Sequence, residues 1–213
     1  MVRALGWISA AALAVGLVMA FGVAPREVTQ GNVQRIMYVH PPLAWVAYLA
    51  FGLVAGASIV YLVRRRPAAD RLAHASAEVG VLFTGLAIAT GSIWGKPTWG
   101  TWWTWDARLT STAVLFCVYV GYLLLRSLIE DPEARARYAA VVGIVGAVNI
   151  PIVHFSVKWW RALHQPSTIL GPERSPIDPG IGLALFVNWV AFTLLFAYFL
   201  SRRMEIARLE EQT

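Results

Sequence analysis

Six stretches of this chain, residues 4–24, 43–63, 79–95, 109–125, 139–157 and 180–200, contain no Asp, Glu, Lys or Arg. A helix needs roughly 20 apolar residues to cross a hydrocarbon core about 30 Å thick. The two stretches of 17 residues reach that length by borrowing a turn from their flanks. Only 14% of the 213 residues are charged, whereas a soluble domain carries about a quarter, so there are too few to cover a globule. The chain is therefore predicted to be an all-α integral membrane protein, a single domain over residues 1–213 with six transmembrane helices and no soluble domain between them. The first stretch also has features of a secretory signal, with Arg3 before it and small residues at its end. It is longer than a signal core of roughly 7–15 residues and is read as a retained helix.

Orientation follows from where Lys and Arg fall, because retained positive charge marks the cytoplasmic side. Arg3, Arg64, Arg65, Arg66, Arg71, Arg126, Arg135, Arg137, Arg202, Arg203 and Arg208 make eleven on one side. Arg26, Arg35, Lys96, Arg108, Lys158, Arg161 and Arg174 make seven on the other. Both termini are thus expected in the cytoplasm, leaving residues 25–42, 94–108 and 158–179 outside. The net charge of +6 does not imply nucleic acid, since the basic residues punctuate apolar runs rather than form a stripe on a soluble fold. The cytoplasmic connections read as topology and solubility features, with a turn or short helix at Glu130-Asp131-Pro132-Glu133. No Walker A, H-E-x-x-H or G-x-S-x-G motif is present. Cys117 is the single cysteine, which excludes an internal disulfide, a Cys-rich zinc site and the C-x-x-C-H attachment of a c-type cytochrome. Gly52 with Gly56, and Ala139, Gly143 and Ala147, place small residues at every fourth position, and both faces are expected to pack within the chain.

The outer segment 94–111 is the most unusual. Trp94, Trp99, Trp102, Trp103 and Trp105 are five of the ten tryptophans and lie within twelve positions. Indoles do favour membrane interfaces, but a belt asks for one or two per helix end. Trp99, Trp102, Trp103 and Asp106 follow i, i+3, i+4, i+7, so a short helix after Pro97 would gather three indoles and a carboxylate on one side. An aromatic platform of this kind favours a large planar apolar ligand, such as a porphyrin.

His40, at the outer mouth of the second helix, and His164, in the last outer segment, both lie on the tryptophan-rich side. Two neutral imidazoles on opposite faces of a haem complete a six-coordinate iron. His154 falls inside the fifth apolar run and is expected to hydrogen-bond or pack, and His74 lies on the cytoplasmic side. The outward cations, Arg108 among them, are candidate partners for haem propionates. Asp106 pairs with Arg108, caps a helix or tethers an indole, three readings left open by the residues alone.

Taken together, Trp94 to Ser111, with its Trp-Asp-Ala-Arg-Leu-Thr-Ser ending, resembles the tryptophan-rich WWD signature of the haem-handling proteins, and of their haem exporter protein C group (CcmC) in particular. Arg35-Ile36-Met37-Tyr38-Val39-His40 and His154 through Thr168 extend the resemblance, which spans essentially the whole chain. Pro41 stands where the family has Val, and the tail after Leu200 is brief. The resemblance implies a platform that binds haem b non-covalently and transiently, with His40 and His164 as axial ligands and Trp94, Trp99, Trp102, Trp103, Trp105, Asp106 and Arg108 around it. It implies delivery of that haem to the membrane-anchored chaperone CcmE, with the ABC transporter subunits CcmA and CcmB and the small protein CcmD as further partners. The implied setting is the bacterial inner membrane, with the haem site on the periplasmic side. Positioning rather than acid–base chemistry is what the family asks of this chain, so whether it counts as an enzyme stays open, leaning against. Two other readings compete. A b-type cytochrome anchor would place its ligands well inside the apolar runs, and a permease subunit would show paired charges or broken helices near the midplane.

Overall fold

A computed structural model describes residues 2–164 and 177–210. Its elements are α1 (Val2–Val18, continued by a π-helical turn Met19–Val23), a 3-10 stretch Val33–Tyr38, α2 (His40–Arg64), α3 (Pro67–Trp99), α4 (Ala107–Leu128), α5 (Pro132–Ala147), α6 (Asn149–Trp159) and α7 (Pro179–Glu210). They form six helical units long and apolar enough to cross a membrane, α5 and α6 making one unit from Pro132 to Trp159.

The helices outrun the uncharged stretches that announced them. The charge-free run 79–95 sits in a 33-residue α3, and the run ending at Leu200 continues to Glu210. Charged residues extend a helix into the interface without breaking its backbone pattern, so absence of charge marks the apolar core of a span and not its ends. The fifth span is interrupted at Val148, near which Pro151 removes a backbone donor and Asn149 Nδ2 donates to the Ser111 carbonyl of α4 at 2.7 Å. At the start of α2, Pro41 and Pro42 occupy the first turn, where a missing N–H costs no helical bond. The departure at Pro41 therefore leaves the helix that carries His40 intact. Asp131 caps α5, its carboxylate accepting the Ala134 N–H at 2.6 Å, which makes Glu130–Glu133 a helix start.

Packing in lipid relies on close backbone approach and interhelical hydrogen bonds. Phe51 of α2 stacks on Tyr119 of α4 with centroids 3.7 Å apart, and Tyr119 Oη donates to the Gly143 carbonyl of α5 at 2.9 Å. A Cβ on Gly143 would stand 2.8 Å from Val54 Cγ1, so the Ala139–Gly143 face packs inside the chain. Gly52 and Gly56 behave otherwise. A Cβ on either would meet nothing within 4 Å, so this pair points out of the bundle rather than into it. Asn188, fully buried on α7, donates to the Gly16 carbonyl at 3.0 Å and ties α1 to α7.

One end of the bundle is tied by ion pairs between helices. There Arg126 of α4 grips Asp70 of α3 through two parallel bonds of 2.6 and 2.8 Å. Arg203 of α7 pairs with Glu78 of α3. The opposite end carries the tryptophans.

Candidate functional site

At the tryptophan-rich end the site is assembled from the start of α2, the last turns of α3, the connection 100–106, the start of α4 and the residues following α6. The expected helix after Pro97 does not form. Pro97 lies inside α3, which runs on to Trp99 and stops at Gly100. Gly100 adopts φ +80°, which a β-carbon would disfavour, and its N–H closes on the Lys96 carbonyl at 3.0 Å. Only residues 100–106 are non-helical, so 94–99 end α3 and 107–111 begin α4. The i, i+3, i+4, i+7 spacing is consequently read by two helices and a loop, and Trp99 is separated from Trp102 and Trp103 by the turn.

The indoles fall into two groups. Trp94 and Trp99 pack against the two histidines: His40 meets Trp94 edge-on at 5.9 Å, and His164 meets Trp99 at 4.6 Å. Trp94 Nε1 also donates to Gln30 Oε1 at 2.9 Å, tying the preceding outer loop to α3. Trp102 and Trp105 are open, 57% and 78% exposed. Trp103 lies between, edge-on to Trp105 at 5.5 Å, with its Nε1 buried and lacking an acceptor among the described residues.

Both imidazoles are held by the same atom. His40 Nδ1 donates to the Ala87 carbonyl at 3.0 Å and lies 3.2 Å from Thr90 Oγ1. A carbonyl only accepts, so Nδ1 carries the proton and Nε2 keeps its lone pair. His164 Nδ1 faces the Asp106 carboxylate at 3.5 Å, which fixes the same tautomer. Burial pushes His164 below its ordinary pKa, with Asp106 opposing and Arg108 reinforcing the shift.

Asp106 is a helix cap: its Oδ1 accepts the Leu109 N–H at 2.8 Å, and Oδ2 also accepts the Leu163 N–H at 3.2 Å. Arg108 donates to the His154 carbonyl at 2.9 Å and keeps a buried Nε without an acceptor among the described residues. His154 itself is exposed, edge-on to Tyr48 and Phe155. Lys96 is spent on the Gly100 carbonyl, and Arg35 donates to the Ala20 and Ala24 carbonyls at the end of the first span. Arg161, with Thr104, Trp105 and Leu163, lines a hollow of about 400 Å³ beside the open indoles. Arg174 and Gln165 to Thr168 lie outside the described residues.

The chain's likeness to known proteins spans this whole assembly. The family model "Heme exporter protein C" matches residues 1–213. The chain belongs to the haem exporter protein C family. Similar members include the "Heme exporter protein C" of Bradyrhizobium diazoefficiens, 44% identical over 211 residues, covering 97% of this chain and 80% of that one. The same-named protein of Escherichia coli K12 is 41% identical over 196 residues, 92% of this chain and 79% of its own. A "Putative cytochrome c biosynthesis ccmC-like mitochondrial protein" of Marchantia polymorpha is 42% identical over 186 residues, 87% and 78% of the two chains. This member of the family is a multi-pass membrane protein.

Sequence reasoning missed Ala87, Thr90 and Gly91, which form the seat of His40. A Cβ on Gly91 would stand 2.9 Å from His40 Cε1. The signal was present as small residues one turn apart, Ala87 and Gly91, on the face of α3 that also carries Trp94. Gly91→Ala is expected to push the imidazole off the Ala87 carbonyl without affecting membrane insertion; where His40 is a haem ligand, haem content read by pyridine haemochrome against protein should fall several-fold. Unchanged content would show that the seat does not set the ring.

Proposed function

We propose that this chain handles haem for cytochrome c biogenesis, holding haem b non-covalently at its tryptophan-rich end with His40 and His164 as the two axial ligands. The observation that carries this reading is the shared tautomer: both Nδ1 atoms are committed to protein acceptors, leaving both Nε2 lone pairs for a metal. A haem brings four nitrogens of its own and asks the protein for at most two. A bare ion asks for more, and no group of three or more His, Cys, Asp or Glu suited to one occurs among the described residues. Trp102 and Trp105 offer open ring faces to the macrocycle, and the buried free Nε of Arg108 suits a propionate.

In this reading the chain binds and orients, and a vinyl group of the bound haem supplies the reactive carbon. His40 and His164 would hold the iron, the open indoles would lie against the macrocycle and Arg108 would meet a propionate, so that the partner's nucleophile would meet an oriented vinyl group. That partner is the chaperone CcmE, and the setting is an ABC-type haem exporter complex with CcmA, CcmB and CcmD in the bacterial inner membrane. The tryptophan-rich end then faces the periplasm, in keeping with the eleven-to-seven distribution of basic residues.

The test is purification of the full chain in detergent, alone and with CcmE, followed by haem analysis. Bound haem shared between the two chains supports a delivery role, and a haem-free chain in both preparations overturns it. Trp102→Ala with Trp105→Ala removes two exposed rings without opening the core. At roughly 0.5–1.5 kcal/mol per ring contact, haem affinity should fall about 5- to 150-fold while the protein still inserts. Wild-type affinity in the double variant would reduce these indoles to interface anchors.

A further inference from the structure

The two imidazoles are backed by different chemistry. His40 Nδ1 donates to the Ala87 carbonyl, a neutral acceptor, and Thr90 Oγ1 beside it is itself donated to the Leu86 carbonyl at 2.8 Å. His164 Nδ1 faces the carboxylate of Asp106, whose side chain is only 8% exposed. Water therefore screens that charge poorly, and the rest of the carboxylate is tied down by the Leu109 and Leu163 amides. The carboxylate cannot turn away without uncapping α4.

We infer that Asp106 is a positioning residue that makes His164 the stronger electron donor of the pair and biases bound haem iron toward its ferric state; this rests on the ligation reading above. A carboxylate accepting Nδ1–H pushes density onto Nε2, and a more basic ligand stabilises the more highly charged metal. Asp106 also sets where the ring stands. Its Oδ2 holds both the Leu163 amide and the imidazole, while Trp99 closes on the ring at 4.6 Å. The pair of ligands is thus asymmetric by construction, with His40 clamped inside the helices and His164 held by charge at the edge.

The experiment compares the haem-loaded full chain with Asp106→Asn and Asp106→Glu by spectroelectrochemistry. Asparagine remains a good helix cap, so α4 keeps its start while the charge is lost. The midpoint potential is expected to shift positive in Asp106→Asn and to return toward wild type in Asp106→Glu. A haem-bearing Asp106→Asn with the wild-type potential overturns the inference. If the asparagine variant sheds its haem, the glutamate variant decides: recovery of content and potential supports the inference, and behaviour like asparagine overturns it. Failure of the ligation reading is distinct, since it would show as a wild-type spectrum in His164→Ala.

Discussion

With His40 and His164 as the proposed haem ligands, His40→Ala and His164→Ala should each abolish the six-coordinate spectrum of the haem-loaded protein while leaving its insertion unchanged. Both rings present Nε2 only because Nδ1 is fixed, so deleting either leaves one axial position to water or to nothing. Even a substitution behind a ligand costs roughly 10- to 100-fold in metal affinity, and loss of the ligand itself should exceed that. The two variants should differ. His40 sits among buried helix neighbours, so its removal opens a void beside Gly91 and Trp94. His164 lies after α6, so its removal should leave that packing intact and be more open to rescue by added imidazole. Soret absorption and haem-to-protein ratio measure both effects, and an unchanged spectrum in both variants would remove the case for axial ligation by these residues.

The second large effect lies at the opposite end. The Arg126 side chain is 7% exposed and that of Asp70 19%, and the two share a bidentate contact between α3 and α4. Arg126→Leu strips the Asp70 carboxylate of its bidentate partner, and breaking a fully buried pair costs roughly 3–5 kcal/mol. Removing both charges in Asp70→Leu with Arg126→Leu should recover most of that, because the cost lies in the stranded charge rather than in the bond. Thermal unfolding in detergent would show a strongly lowered midpoint for the single variant and a near-normal one for the double. Equal losses in both would mean that the pair contributes net stability beyond charge balance.

Much of this fold was legible because a bilayer leaves few options. Runs such as 43–63 and 180–200 had to be helices, and they are the cores of α2 and α7. What escaped was anything set by termination or by tertiary contact. Periodicity from Trp99 to Asp106 suggested a helix face, but Gly100 ends α3 in a left-handed turn, and a stop signal overrides a spacing that would need the helix to continue. Gly52 and Gly56 carry the same spacing as packed pairs elsewhere, yet face outward, since spacing alone does not say which side of a helix meets a neighbour. At the site, His40, His164 and the indoles were nameable from residue type. The tautomers were not, because they depend on Ala87 and Asp106, one a backbone carbonyl that no side-chain motif can flag.

The 33-residue α3 carries Asp70 and Glu78 toward one end and Ala87, Gly91, Trp94 and Trp99 toward the other, without interruption. Its ion pairs and its ring seat are therefore two notches on a single shaft. A residue gained or lost anywhere between them would turn one against the other by about 100°. A change of count in the middle of that shaft would misalign the ring seat while every group that builds it remained in place.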